Sequence, residues 1–155
     1  MMGRTHMAIG FLAGLSLFTF FDANPLLFIC LATLGSLLPD LDHEKSTINR
    51  LLPVTRWIPR LFRHRGFFHS IFPALIILFA GLIFSFQMMA LPLAIGYLVH
   101  LFSDCLTRQG CNLLHPFSTF RIQGFLVTGG LVEFVILGIV LVLDVLILAR
   151  FAGLV

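Results

Sequence analysis

The chain has 155 residues, of which 59% are hydrophobic and 11% charged, and its formal net charge is +3. Its mean hydropathy is +1.04. An ordinary soluble domain is ~45–50% apolar and ~25% charged, so this composition excludes a typical water-soluble fold and points to a bilayer. The length suits one domain spanning 1–155. Cys30, Cys105 and Cys111 are odd in number and form no C-x-x-C pair, which argues against a disulfide framework and excludes a four-cysteine zinc site.

Five apolar segments follow one another. The first, about Met7–Phe21, comes after Arg4 and His6 and stops at the turn Asp22-Ala23-Asn24-Pro25. No small-x-small cleavage site follows it, so it reads as a retained helix rather than a signal peptide. The second, about Leu26–Leu38, breaks at Pro39. Both are shorter than the ~20 residues of a perpendicular span. The third is about Phe68–Phe86, the fourth about Met89–Leu106, and the fifth, about Gly129–Phe151, is long enough to span with tilt. The expected architecture is all-α: an integral membrane helical bundle of about five transmembrane or membrane-embedded helices. The eighteen Phe residues are packing and lipid-facing by default.

Two longer connections join these segments. Residues 40–67 carry Lys45, Arg50, Arg56, Arg60, Arg63 and Arg65 around Trp57. This stretch suits either an amphipathic segment in the headgroup layer or a loop that is basic for topological reasons. The second connection, 107–128, holds Arg108, Gly110, Pro116 and Arg121. With five spans, nine Lys and Arg residues fall on the side of the N-terminus and of these two loops, against Arg150 alone on the other. The positive-inside rule then puts the N-terminus in the cytoplasm and the C-terminus outside.

The polar residues converge on that same side. His6 begins the first helix, Asp40 and Asp42 follow the second, and His64 and His69 flank the start of the third. His100 and Asp104 lie in the last two turns of the fourth, and Glu133 lies one turn into the fifth. Ionisable groups at membrane depth are costly and tend to mark function. His100 and Asp104 are spaced i, i+4, so they share one helix face and could hold one cation. Asp40 and Asp42 alternate around Leu41 and could reach a common pocket. Gly66 lets His64 approach from a loop and His69 from the first helical turn. Imidazole and carboxylate ligands together suit zinc, manganese or iron better than calcium. They could serve one ion, or two bridged by a carboxylate. His43 and His115 read as interfacial residues, and Asp144 lies deep in the fifth helix away from the cluster. Cys105 neighbours Asp104 on a different helix face and is not counted as a ligand.

The motifs Thr5-His6, Leu38-Pro39-Asp40-Leu41-Asp42-His43, His64-Arg65-Gly66-Phe67-Phe68-His69-Ser70 and His100-x-x-x-Asp104-x-x-Thr107-x-x-Gly110 occur in that order. Together they resemble the YdjM-like family of bacterial and archaeal inner-membrane proteins, from residue 5 to about 133. The resemblance implies a metal-dependent hydrolase of the prokaryotic inner membrane and an association with a LexA-type cytoplasmic partner. The early His, the Pro-Asp segment and His-x-x-x-Asp are also similar in spacing to zinc-dependent phospholipase C enzymes.

The expectation is therefore metal-assisted hydrolysis at the cytoplasmic membrane face, on a lipid or lipid-linked phosphoester. His6, Asp40, His69, His100 and Asp104 are expected to be the metal ligands for one or two divalent ions, zinc first, then manganese or iron. Asp42, His64 and Glu133 are the expected catalytic or positioning residues; the planar fork of Arg65 could meet a phosphate, although the topological charge already counted accounts for it more simply. Two other classes are open to this sequence: a metal-ion or proton transporter, and a non-catalytic membrane anchor for a cytoplasmic partner. A transporter should carry polar groups through the membrane, yet the third and fifth helices are apolar apart from Gln87 and Asp144. An anchor has no need of His100 and Asp104 inside a helix. Direct nucleic-acid binding is not expected, because the arginines sit where the positive-inside rule already places them.

Overall fold

A computed structural model describes residues 1–44, 46–51, 53–61 and 65–154. Among them there is no strand, only the isolated bridges Thr107 with Leu126 and Cys111 with Ile122. Helix α1 spans Gly3–Leu17 and closes in a 3-10 turn at Phe18–Phe20. Helix α2, Pro25–Gly35, starts as its sequence dictates. Pro25 occupies the first turn, where a missing N–H costs nothing, and the Asn24 side chain accepts the Leu27 N–H at 3.1 Å. A 3-10 turn at Leu38–Asp42 follows. The basic connection holds two short helices, α3 (Thr47–Leu51) and α4 (Ile58–Leu61), around a 3-10 turn at Pro53–Trp57. Among its described side chains Val54, Trp57 and Leu61 are exposed, which fits a segment lying in the headgroup layer.

The remaining helices are α5 (Phe72–Ile83), α6 (Gln87–Cys105) and α7 (Leu131–Phe151). Pro25–Asp42, Gln87–Cys105 and Leu131–Phe151 are long and apolar enough to cross a membrane. The third apolar segment yields a shorter helix than the sequence suggests. His69 lies in a 3-10 turn, Phe67–His69, rather than in the first turn of a helix. There the Ser70 hydroxyl donates to the Phe67 carbonyl at 2.7 Å, and the Ile71 N–H donates to Leu113 at 2.9 Å, outside any helix. Conversely, α1 starts at Gly3, which puts His6 inside the helix.

Helix α6 is the hub, packed against α1, α2 and α5, while α1 also meets α2 and α7. Lipid offers no hydrophobic drive between helices, so close approach depends on small residues. At the α2–α6 crossing a Cβ on Gly96 would lie 1.9 Å from the Ala32 carbonyl oxygen, and one on Gly35 would lie 2.2 Å from that of Leu93. The two backbones touch. Helix α7 runs parallel to α1: the Met2 N–H meets Glu133 near their starts, and the Phe18 and Phe151 rings lie 4.9 Å apart near their ends. Its buried stripe is Glu133, Val140 and Asp144, and most of the rest of its surface is exposed or half-buried apolar side chain, as lipid contact requires.

Candidate metal centre

Four chain segments deliver five His and Asp side chains to one end of the bundle. His6 comes from α1, Asp40 from the 3-10 turn after α2, His69 from the turn before α5, and His100 and Asp104 from the last two turns of α6. Two overlapping groups result, His6–His100–Asp104 and Asp40–His69–His100, each with ligand atoms within 4.8 Å of one another. His6 Nε2 lies 3.3 Å from Asp104 Oδ1. His69 Nε2 lies 3.7 Å from Asp104 Oδ2 and 3.9 Å from Asp40 Oδ1. His100 Nε2 stands 3.9 Å from Asp40 Oδ1 and 4.0 Å from Asp104 Oδ2. Ligands about 2.0–2.2 Å from a zinc-sized ion are themselves separated by distances of this order. The His6 and His100 rings stack with centroids 3.7 Å apart, and His69 meets His100 edge-on at 5.4 Å. All three imidazoles and Asp104 are buried, and Asp40, with a side chain 17% exposed, is the most open member.

The other ring nitrogens fix the tautomers. His100 Nδ1 sits 2.7 Å from the Ser36 carbonyl oxygen, which can only accept, so Nδ1 carries the proton. His69 Nδ1 lies 3.2 Å from Asp42 Oδ2, again an acceptor. His6 Nδ1 lies 2.9 Å from the Ser103 hydroxyl, which spends its own proton on the His100 carbonyl and so accepts from the ring. In the neutral ring each lone pair then sits on Nε2, which faces carboxylate oxygen. Among the described residues the Nε2 atoms of His6 and His100 are buried without a hydrogen-bond donor. A lone pair 3.3 Å from a carboxylate oxygen is repulsive unless a cation lies between them, either a second ring proton or a metal ion, and the donor set fits a metal ion.

The remaining expected residues fall around this cluster. Asp42 is buried and serves two neighbours, accepting from His69 and from the Arg65 N–H at 2.9 Å. Arg65 itself adopts φ 58°, the left-handed region, in the turn before α5. Its guanidinium reaches Asp104 Oδ2 at 2.9 Å and the Gly110 carbonyl at 2.7 Å, tying a cluster carboxylate to the 107–128 connection. The Met1 amine also meets Asp104 Oδ1. Glu133 stands beside the centre, with both carboxylate oxygens occupied by backbone N–H groups, Met2 at 2.6 Å and Gly129 at 2.7 Å. His64 lies outside the described residues. Cys105 joins neither group, and the three cysteines are free. Sequence reasoning missed Ser36 and Ser103; Ser103 had a signal in its place one helical turn from His100, whereas a backbone carbonyl such as that of Ser36 leaves none.

A polar cavity of about 1100 Å³ opens onto the centre at Asp40 and Arg65. A separate apolar trough of about 710 Å³ runs along α5 from Ile83 and Phe79 to Phe72 and Phe67, two residues from His69.

Fold and site together define an integral membrane helical protein with a buried His/Asp cluster at one end of its bundle. The chain belongs to the YdjM family of inner membrane proteins, whose pattern it matches over residues 1–154. It is 31% identical to the uncharacterized protein YvsG of Bacillus subtilis over 125 residues, 79% of this chain and 78% of that one. It is 37% identical to the inner membrane protein YdjM of Escherichia coli over 92 residues, and to that of Shigella flexneri to the same extent. Those matches span 55% of this chain and 47% of each relative. No solved structure matches the chain.

Proposed function

We propose that this protein is a metal-dependent hydrolase that works at the cytoplasmic face of the membrane on a lipid or lipid-linked phosphoester. The observation that carries the reading is the orientation of three buried imidazoles. Each is held through Nδ1 by an acceptor, so that His6, His69 and His100 present Nε2 to Asp40 and Asp104. Zinc suits this set best, with manganese or iron next, and His6, His100 and Asp104 or Asp40, His69 and His100 would hold one ion or two. Bound there, a divalent ion would polarise a phosphoryl oxygen and make water more acidic. The protein's own groups do the rest. Asp42 orients His69, and Arg65 steadies Asp104. Asp40, at the cavity, is placed to take a proton from the incoming water. Hydrolysis adds that water's oxygen to phosphorus, breaks the bond to the leaving alkoxide, and returns the proton to the leaving oxygen.

The trough along α5 supports a lipid substrate, because its apolar walls suit a hydrocarbon chain and it is lined at one end by Phe67, of the same 3-10 turn as His69. The nine-to-one charge asymmetry supports the cytoplasmic assignment, and Arg4, Arg50, Arg65 and Arg121 gather at the cluster end. The deciding measurement is elemental mass spectrometry of detergent-purified protein, wild type beside the double variant His100→Ala/Asp104→Ala. Near-stoichiometric zinc, manganese or iron that vanishes in the variant is expected, followed by hydrolysis of a lipid phosphoester by the wild type alone. Metal-free wild type, even after reconstitution with each cation, would overturn the reading.

A further inference from the structure

The arginines at the cluster end are more than a topological count. Four of them, Arg4 from α1, Arg50 from α3, Arg65 from the turn before α5 and Arg121 from the 107–128 connection, line the polar cavity that opens at Asp40. Membrane topology requires positive charge on a side of the bilayer; it does not require four guanidiniums from four separate segments around one cavity. Asp40 is the sole acidic residue among the described residues lining it, and Ser46, Gln109 and Gln123 add neutral donors. Arg4 is braced, its guanidinium 4.9 Å over the Phe134 ring of α7. Arg65 is nine-tenths buried, and among the described residues its Nε–H is a buried donor without a partner. Its two terminal nitrogens are already engaged, so this third donor is left for something outside the protein.

We infer that this cavity is a recognition vestibule for a multiply charged phosphate headgroup, a diphosphate or a phosphomonoester, which Arg4, Arg50 and Arg121 capture and Arg65 hands to the centre at Asp40. Guanidinium forks match phosphate oxygens in pairs, and a cavity of about 1100 Å³ holds a headgroup larger than one phosphate. A dry, apolar-walled site would select a neutral ester; a vestibule with four cations against one carboxylate excludes it and favours the most highly charged phosphate. The inference rests on the hydrolase reading for its direction, since it names that enzyme's substrate class, but phosphate capture is readable without any turnover.

Isothermal titration calorimetry of the full-length protein in detergent tests it, with inorganic diphosphate in one arm and short-chain phosphatidate in the other. The wild type is expected to bind diphosphate at least tenfold more tightly than sulfate at equal ionic strength. The triple variant Arg4→Gln/Arg50→Gln/Arg121→Gln should bind about 100-fold more weakly, and the single variant Arg121→Gln about tenfold, with unchanged metal content and unfolding temperature. Replacing the same three by Lys should recover part of the loss, since charge returns without the fork. Tighter binding of phosphatidate than of diphosphate identifies a lipid headgroup, and the reverse a soluble phosphate; either upholds the vestibule. Equal affinity for wild type and both Gln variants would overturn it, leaving the arginines as topological charge. Phosphate binding without hydrolysis would instead overturn only the hydrolase reading.

Discussion

Asp42 Oδ2 stands 3.2 Å from His69 Nδ1 and accepts the Arg65 N–H at 2.9 Å, so one buried carboxylate sets both the tautomer of an imidazole and the bend of the chain beside it. Partners that orient a metal-binding His are worth about 10–100-fold in metal affinity. Asp42→Ala is therefore expected to weaken zinc binding by about that factor while the helices persist. A competition titration against a chromophoric chelator, with circular dichroism alongside, checks both halves; unchanged affinity would remove Asp42 from the site.

Gly96 touches the Ala32 carbonyl, and one turn further along both helices His100 meets the Ser36 carbonyl. The first contact sets the spacing that the second requires. Gly96→Val should cost about 3 kcal/mol, through helix separation, and should also lower metal affinity although residue 96 bears no ligand. Gly138 on α7 has nothing within 4 Å of where its Cβ would be, so Gly138→Ala should be neutral or slightly stabilising. Thermal unfolding in detergent, read with metal content, separates the two.

Glu133 engages the Met2 and Gly129 N–H groups, which Glu133→Ala would leave without this charged acceptor. The expected cost is about 2 kcal/mol of stability, with the α7 contact to α1 loosened and metal stoichiometry retained. Glu133→Gln, which keeps an acceptor oxygen, should recover much of that stability. A chain of normal stability whose hydrolysis nevertheless fails in Glu133→Gln would instead give the carboxylate a chemical role.

Asp144 is buried on the α1-facing stripe of α7, and among the described residues its Oδ1 has no hydrogen-bond partner. Asp144→Asn should raise the unfolding temperature, by about 1 kcal/mol of stability, and leave metal content as it was. A fall in stability would reveal a partner for this carboxylate.

The helical membrane class and the family were legible in the sequence, the first from composition and the second from motif order. His100 and Asp104 were legible as a pair because helix periodicity puts i and i+4 on one face. Asp40 and Asp42 were not separable by spacing: the 3-10 turn at Leu38–Asp42 sends Asp40 toward the Nε2 atoms and Asp42 toward the Nδ1 of His69. The short α5 was equally hidden, because a turn that breaks an apolar run at His69 changes hydrogen bonds rather than hydropathy. Nor could spacing show that Arg65, 39 positions before Asp104, would close on it at 2.9 Å. Such contacts depend on how helices cross, which the Gly96 and Gly35 approaches decide.

All five cluster residues lie between His6 and Asp104, and α7 begins only at Leu131. A ribosome working from the N-terminus thus delivers every donor before the last apolar helix reaches the bilayer. Helix α7 brings no donor of its own to the cluster, and in the finished fold it works as a clasp: Glu133 fastens onto the Met2 backbone, four residues before His6.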